Sequence, residues 1–96
     1  MKFCVVGINH HVAPIEIREK VHFKETDIIE VTDSLLDESI LELVILSTCN
    51  RSEIYFLSNQ PDQDVQRVAD YLRDYFQLDL KDKDLIVKVG DQALHH

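Results

Sequence analysis

The order of apolar patterns along the chain is the feature that most limits its fold. Six segments carry a strand or a helix pattern. The strand patterns lie at 3–8, 43–46, 54–57 and 85–89, and the helix patterns begin near Thr26 and after Pro61. The resulting order, β-α-β-β-α-β, predicts an α+β fold of the ferredoxin-like type, with a four-stranded antiparallel sheet and two helices on one face. A length of 96 residues suffices for a single domain at 1–96.

Each helix pattern begins at a recognisable start signal. Thr26 is the predicted N-cap of the first helix, with Asp27 and Glu30 placed to favour its positive end. Asp62 is the predicted N-cap of the second helix, directly after Pro61. Residues 91–96 predict the beginning of a further helix that is cut off, as in a fragment of a longer protein.

The apolar run at 43–46 is continuous, which predicts a strand buried on both faces. Residues 47–53 are polar and are predicted to connect this strand to the next one at 54–57.

Composition excludes several classes of protein. No apolar run approaches the ~20 residues of a membrane-spanning helix and no signal peptide pattern occurs, so the chain is predicted to be soluble and cytoplasmic, without a membrane partner. The formal net charge of −8 disfavours non-specific binding to phosphate backbones. Two cysteines without C-x-x-C spacing are predicted to be reduced thiols.

Cys49 stands among polar residues after the apolar run at 43–46. A nearby guanidinium favours the thiolate of a partly exposed cysteine, and the thiolate is the nucleophile. The segment therefore predicts a nucleophilic Cys49, with an inert turn cysteine as the alternative. Cys4 lies inside an apolar run and is predicted to be a small core hydrophobe.

Polar residues on both sides of the thiol are candidates for substrate binding. Arg51 has the planar fork that suits a substrate carboxylate, and the alternative is a salt bridge to Glu53 or to an acid of the first helix. Thr48 and Asn50 are candidates to orient a substrate or to stabilise an oxyanion, although such turn residues more often bond to their own backbone.

The five histidines do not have the spacing of metal ligands, and no metal site is expected. His10 and His11 follow the first strand; they would point apart in extended backbone and are predicted to be exposed or hydrogen-bonded. His95 and His96 end the chain, where they fit either native residues or the start of a purification tag.

Two segments resemble the signature patterns of the N-terminal domain of glutamyl-tRNA reductase. Residues 7–19 carry the family's G-x-N-H-x-x-A-P-x-x-x-R-E pattern, and residues 46–55 carry its S-T-C-N-R-x-E-x-Y pattern. The two patterns occur in the family's order and at about its usual interval. Residues 92–96 also resemble the start of the family's helix with a functional histidine, which falls at His96.

The resemblance implies NADPH-dependent reduction of glutamyl-tRNA to glutamate-1-semialdehyde, the first step of tetrapyrrole (porphyrin, haem) biosynthesis by the five-carbon route. It implies that Cys49 is the nucleophile, forming a thioester, and that His96 is a second catalytic residue. It further implies a substrate-binding segment comprising Thr48, Asn50 and Arg51.

The resemblance also implies what lies outside this chain. Residues 1–96 correspond to the N-terminal part of the catalytic domain, whereas NADPH is bound by a separate domain and dimerisation uses another. Expected partners are therefore glutamyl-tRNA, a second subunit in a full-length homodimer and the downstream aminomutase. An alternative from the fold alone is a regulatory or amino-acid-binding module in which Cys49 is incidental.

Overall fold

A computed structural model describes residues 1–94 and contains one four-stranded antiparallel sheet. Its strands are β1 Lys2–Asn9, β2 Ile40–Ser47, β3 Arg51–Ser58 and β4 Ile86–Val89. Their order across the sheet is β2-β3-β1-β4, because β1 pairs with both β3 and β4 while β2 pairs with β3. This sheet confirms the predicted α+β class and the ferredoxin-like order of elements.

The helices within residues 1–94 are α1 Ile15–Lys20, α2 Glu25–Leu35, α3 Pro61–Phe76 and α4 Asp91–Leu94, with a 3₁₀ turn at Asp82–Asp84. Helices α2 and α3 are the two long helices that the sequence predicts, and α4 agrees with the helix start predicted at residues 91–96. Helix α1 is not predicted, since six residues are too few to show a helical period. None of the helices between residues 1 and 94 has the length and apolarity needed to cross a bilayer.

Both long helices begin earlier than the sequence predicts. Helix α2 begins at Glu25 after the N-cap Lys24, whose backbone N–H donates to the Asp27 carboxylate at 2.8 Å. This bond satisfies the helix start, so Thr26 lies within the first turn. Helix α3 has Pro61 at its first position, where the missing N–H costs nothing, and Asp62 is likewise inside the first turn and is not the N-cap.

The main core lies between the sheet and the two long helices. Alternate residues of β1 point into this core, because successive side chains of a strand face opposite sides of the sheet. Its fully buried members from the central strands and the helices are Cys4, Val6, Ile8, Val31, Ile54, Phe56, Val68 and Leu72. A smaller cluster of Val5, Ile86 and Ala93 on the other face places α4 opposite α2 and α3.

The prediction that residues 43–46 are buried on both faces is wrong. Strand β2 is an edge strand, with one face on the helices and the other open, and Val44 is 66% exposed. An apolar run alone does not distinguish a central strand from an edge strand. The predicted connection at 47–53 is also too long, because β2 continues to Ser47 and β3 begins at Arg51, which leaves a tight turn at 48–50.

Candidate active site at the β2–β3 turn

The fold brings the two signature segments to the same end of the sheet. Asn9 ends β1 directly opposite Arg51, the first residue of β3. Ser47 ends β2 opposite Ser52. The loop after β1 and the turn at 48–50 are therefore neighbours.

Thr48 holds the backbone of the turn that carries Cys49. Its side-chain oxygen accepts from the backbone N–H groups of Asn50, at 3.2 Å, and Arg51, at 3.3 Å. The backbone N–H of Thr48 donates to the carbonyl of Arg51 at 2.7 Å. Thr48 therefore makes the local backbone bonds that the sequence left as the alternative to substrate contact, and the exposed Cys49 lies at the tip of a hydrogen-bonded turn.

The two thiols have opposite environments. Cys49 is exposed, whereas Cys4 is fully buried in the core. Burial raises the pKa of the Cys4 thiol to about 11, with a smaller contribution from the carboxylate of Asp64. Cys4 is therefore protonated near neutral pH, in agreement with its predicted role as a core hydrophobe.

Arg51 contacts Glu53, the ion pair that the sequence offered as the alternative to substrate binding. The Nη1 to Oε1 distance is 3.6 Å, with Glu53 fully buried and the Arg51 side chain 46% exposed. The Tyr55 hydroxyl donates to the same Oε1 atom at 2.9 Å. Burial, followed by this bond, raises the pKa of Tyr55 to about 12. The exposed part of Arg51 therefore extends from a buried polar cluster.

Arg18 approaches the turn from the first signature segment, a contact that the sequence analysis missed. Its Nη1 donates to Oδ1 of Asn50 at 3.3 Å, and its Nε donates to the carbonyl of Ala13 at 3.2 Å. The available signal was the arginine of the G-x-N-H-x-x-A-P-x-x-x-R-E pattern. Thus Asn50 has a partner 32 residues away in sequence.

Two serines attach the base of the turn to the segment between α1 and α2. The buried Ser52 hydroxyl donates to the carbonyl of Val21 at 2.6 Å, and Ser47 Oγ accepts from the N–H of Phe23 at 3.0 Å. His22 Nδ1 lies 3.4 Å from Ser47 Oγ. These contacts hold the base of the Cys49 turn against the segment between α1 and α2.

His10 and His11 are exposed, in agreement with the prediction, but they do not point apart. They lie in a turn, where the N–H of His11 donates to Asn9 Oδ1 at 2.9 Å and the two rings have centroids 3.9 Å apart. Among residues 1–94, no group of three or more His, Cys, Asp or Glu side chains is placed to hold a metal ion. The predicted catalytic His96, with His95, lies outside the described residues.

The sequence carries no glycine-rich loop of the kind that binds the pyrophosphate of a dinucleotide cofactor such as NADPH. The chain has two glycines, Gly7 and Gly90. Gly7 packs against the backbone of β3, where an added Cβ would lie 2.3 Å from the carbonyl oxygen of Ser52 and 2.6 Å from Cα of Glu53. This glycine therefore serves the close packing of β1 against β3.

Comparison with known proteins agrees with the two signature segments. The chain is 34% identical over 96 residues to a glutamyl-tRNA reductase of Clostridium novyi, and 39% and 40% identical over 99 residues to those of Macrococcus caseolyticus and Bacillus subtilis. All of this chain is covered in each case, but only 23%, 22% and 22% of the relative. The family described as "Glutamyl-tRNAGlu reductase, N-terminal domain" matches residues 6–96. The chain therefore belongs to the glutamyl-tRNA reductase family, as its N-terminal domain.

Proposed function

We propose that this chain supplies the cysteine that accepts the glutamyl group in a glutamyl-tRNA reductase. The observation that carries the proposal is the exposed Cys49 at the tip of a hydrogen-bonded turn, within the signature segment of this family. Thiolates are efficient nucleophiles toward acyl esters, and a turn mounted on two strands limits the motion of the sulfur.

The acyl-transfer step uses the Cys49 thiolate. Its sulfur attacks the carbonyl carbon of the glutamyl ester, and the carbonyl oxygen becomes an oxyanion in the tetrahedral intermediate. Collapse of this intermediate breaks the carbon–oxygen bond to the tRNA ribose. The ribose oxygen takes a proton from solvent and leaves as the free hydroxyl of the tRNA, and the glutamyl group remains on Cys49 as a thioester.

Arg51 binds the side-chain carboxylate of the glutamyl group in this proposal. Its guanidinium is about half exposed, so part of its donor fork is open to a ligand, while the buried Glu53 holds the other side. Thr48 and Asn50 complete the substrate-binding segment. The backbone bonds of Thr48 fix the shape of the turn, and its hydroxyl proton is a further donor.

We place the reduction in the whole protein and not in this chain. NADPH, bound by another domain, supplies the hydride that converts the acyl group to glutamate-1-semialdehyde, for tetrapyrrole synthesis. His96 is the second catalytic residue of the proposal. In this proposal the full-length protein is a cytoplasmic homodimer, and it passes its product to the downstream aminomutase.

Trapping of glutamate on the thiol tests the nucleophile. We expect glutamyl-tRNA to transfer labelled glutamate to the wild-type chain and to the Cys4→Ser variant, but not to Cys49→Ser. The serine hydroxyl stays protonated near neutral pH, whereas the buried Cys4 is inaccessible and has a raised pKa. Intact-mass measurement with peptide mapping reads the modified position.

Free glutamate serves as the control ligand, since it has no activated carbonyl. Transfer of label to Cys49→Ser, or no transfer to the wild-type chain, would contradict the proposal. Binding of free glutamate without any acylation would favour the amino-acid-binding module instead.

A further inference from the structure

Arg18 is the second arginine at the Cys49 turn, and the turn residue that its side chain contacts is Asn50. Arg18 belongs to α1 and is partly buried. Its Nε donates a hydrogen bond to the carbonyl of Ala13, just before the helix, and its Nη1 donates to Oδ1 of Asn50. The bond to Ala13 restricts the position of the guanidinium. Its Nη1 is therefore a positioned donor for the side chain of Asn50.

The contact determines which end of the Asn50 amide faces outward. A guanidinium has donors only, so it pairs with Oδ1 and not with Nδ2. The two N–H groups of Nδ2 consequently face away from Arg18. Without this partner, the amide of an exposed turn residue is free to present either its acceptor or its donors.

We propose that Arg18 is a positioning residue that orients the Nδ2 donors of Asn50 toward the carbonyl oxygen of the group being transferred to Cys49. This inference rests on the proposed function of Cys49. The carbonyl oxygen gains negative charge in the tetrahedral intermediate, and a donor that is oriented beforehand stabilises this charge without reorganisation. Asn50 directly follows Cys49, so its side chain is tethered close to the reacting sulfur.

A double-mutant cycle in acyl transfer tests the inference. The variants are Arg18→Gln, Asn50→Ala and the double variant, each compared with the wild-type chain for acylation of Cys49 by glutamyl-tRNA. We expect Asn50→Ala to slow acylation about 100-fold, as for loss of an oxyanion donor, and Arg18→Gln to slow it about 10-fold. Because Arg18 acts through Asn50, the double variant is expected to be no slower than Asn50→Ala.

Two controls separate positioning from charge and from folding. Lys20→Gln removes the same charge from an exposed position of α1 and is expected to leave acylation unchanged. Alkylation of Cys49 by iodoacetamide creates no oxyanion, so its rate is expected to be the same in Arg18→Gln as in the wild-type chain. That second rate reports access to the thiol and its reactivity.

The outcomes distinguish this inference from the proposed function beneath it. Acylation of the wild-type chain with additive losses in the cycle, or with equal losses in acylation and alkylation for Arg18→Gln, overturns the role of Arg18 and leaves Cys49 as the acyl acceptor. No acylation of the wild-type chain overturns both. A larger loss in acylation than in alkylation, absent in the Asn50→Ala background, supports the inference.

Discussion

At the residue scale, the two arginines of the Cys49 turn have different partners and therefore different expected roles. Arg18 is held by a carbonyl and an amide oxygen, both neutral acceptors. Arg51 faces the buried carboxylate of Glu53 and remains partly exposed. Arg51 is thus the arginine with charge-assisted binding and solvent access, which suits a carboxylate ligand.

Replacing Arg51 with lysine should weaken recognition of the glutamyl side chain. A lysine keeps the charge but cannot make two parallel hydrogen bonds, so we expect kcat/KM for glutamyl-tRNA in the full-length protein to fall about 10-fold or more, with a higher KM. A matched control is Arg67→Lys, because Arg67 forms an ion pair with Asp37, which precedes the start of β2 at the end of the strand away from the Cys49 turn. Steady-state kinetics with both variants measures the difference. If Arg51→Lys and Arg51→Ala were both kinetically silent, Arg51 would be only a surface ion pair.

Residue chemistry was predictable where it depends on local surroundings and not where it depends on tertiary contacts. The apolar neighbours of Cys4 and the polar neighbours of Cys49 indicated their different exposure, which the structure confirms. The bond between Arg18 and Asn50 joins residues 32 positions apart, and no local pattern indicates such a contact. The alternatives offered for Arg51 and Thr48 were both observed, because a charged or hydroxyl side chain takes the nearest available partner.

At the element scale, the strands and the two long helices were predictable from their apolar patterns, whereas α1 was not. Helix α3 shows its apolar period over Pro61–Phe76, whereas the six residues of α1 are too few to show one. The apolar run of β2 does not show that the strand lies at an edge of the sheet, since the order of strands depends on long-range pairing. The register that sets Asn9 beside Arg51 depends on the same pairing.

Gly7 provides a test of the close approach between β1 and β3. A methyl group at this position would meet the backbone of Ser52 and Glu53, so we expect Gly7→Ala to lower the free energy of unfolding by about 3 kcal/mol. Gly90→Ala is the control, because Gly90 has open space but a φ of +70°, and strain of about 1 kcal/mol is expected there. Urea denaturation of both variants compares them. An equal or smaller loss in Gly7→Ala would mean that β3 moves aside at little cost.

At the scale of the whole molecule, the charge of the chain agrees with the proposal that this part handles the aminoacyl end of glutamyl-tRNA. Eighteen acidic residues against ten basic ones disfavour a grip on the tRNA phosphates, which we assign to other parts of the full-length protein. The relatives of known sequence are much longer, since the chain spans only 22% or 23% of the three compared above.

The chain is therefore expected to perform acyl transfer without reduction. Incubated with glutamyl-tRNA and NADPH, it should release tRNA and acquire the glutamyl group on Cys49, but NADPH should not be consumed. The physical reason is that hydride transfer requires the nicotinamide to be held against the acyl carbon, and the proposal assigns NADPH binding to another domain of the full-length protein. Absorbance of NADPH and chemical trapping of the semialdehyde measure the reaction, with Cys49→Ser as the blank. Consumption of NADPH with formation of semialdehyde by the chain, but not by Cys49→Ser, would contradict the prediction and would require a nucleotide site within residues 1–96.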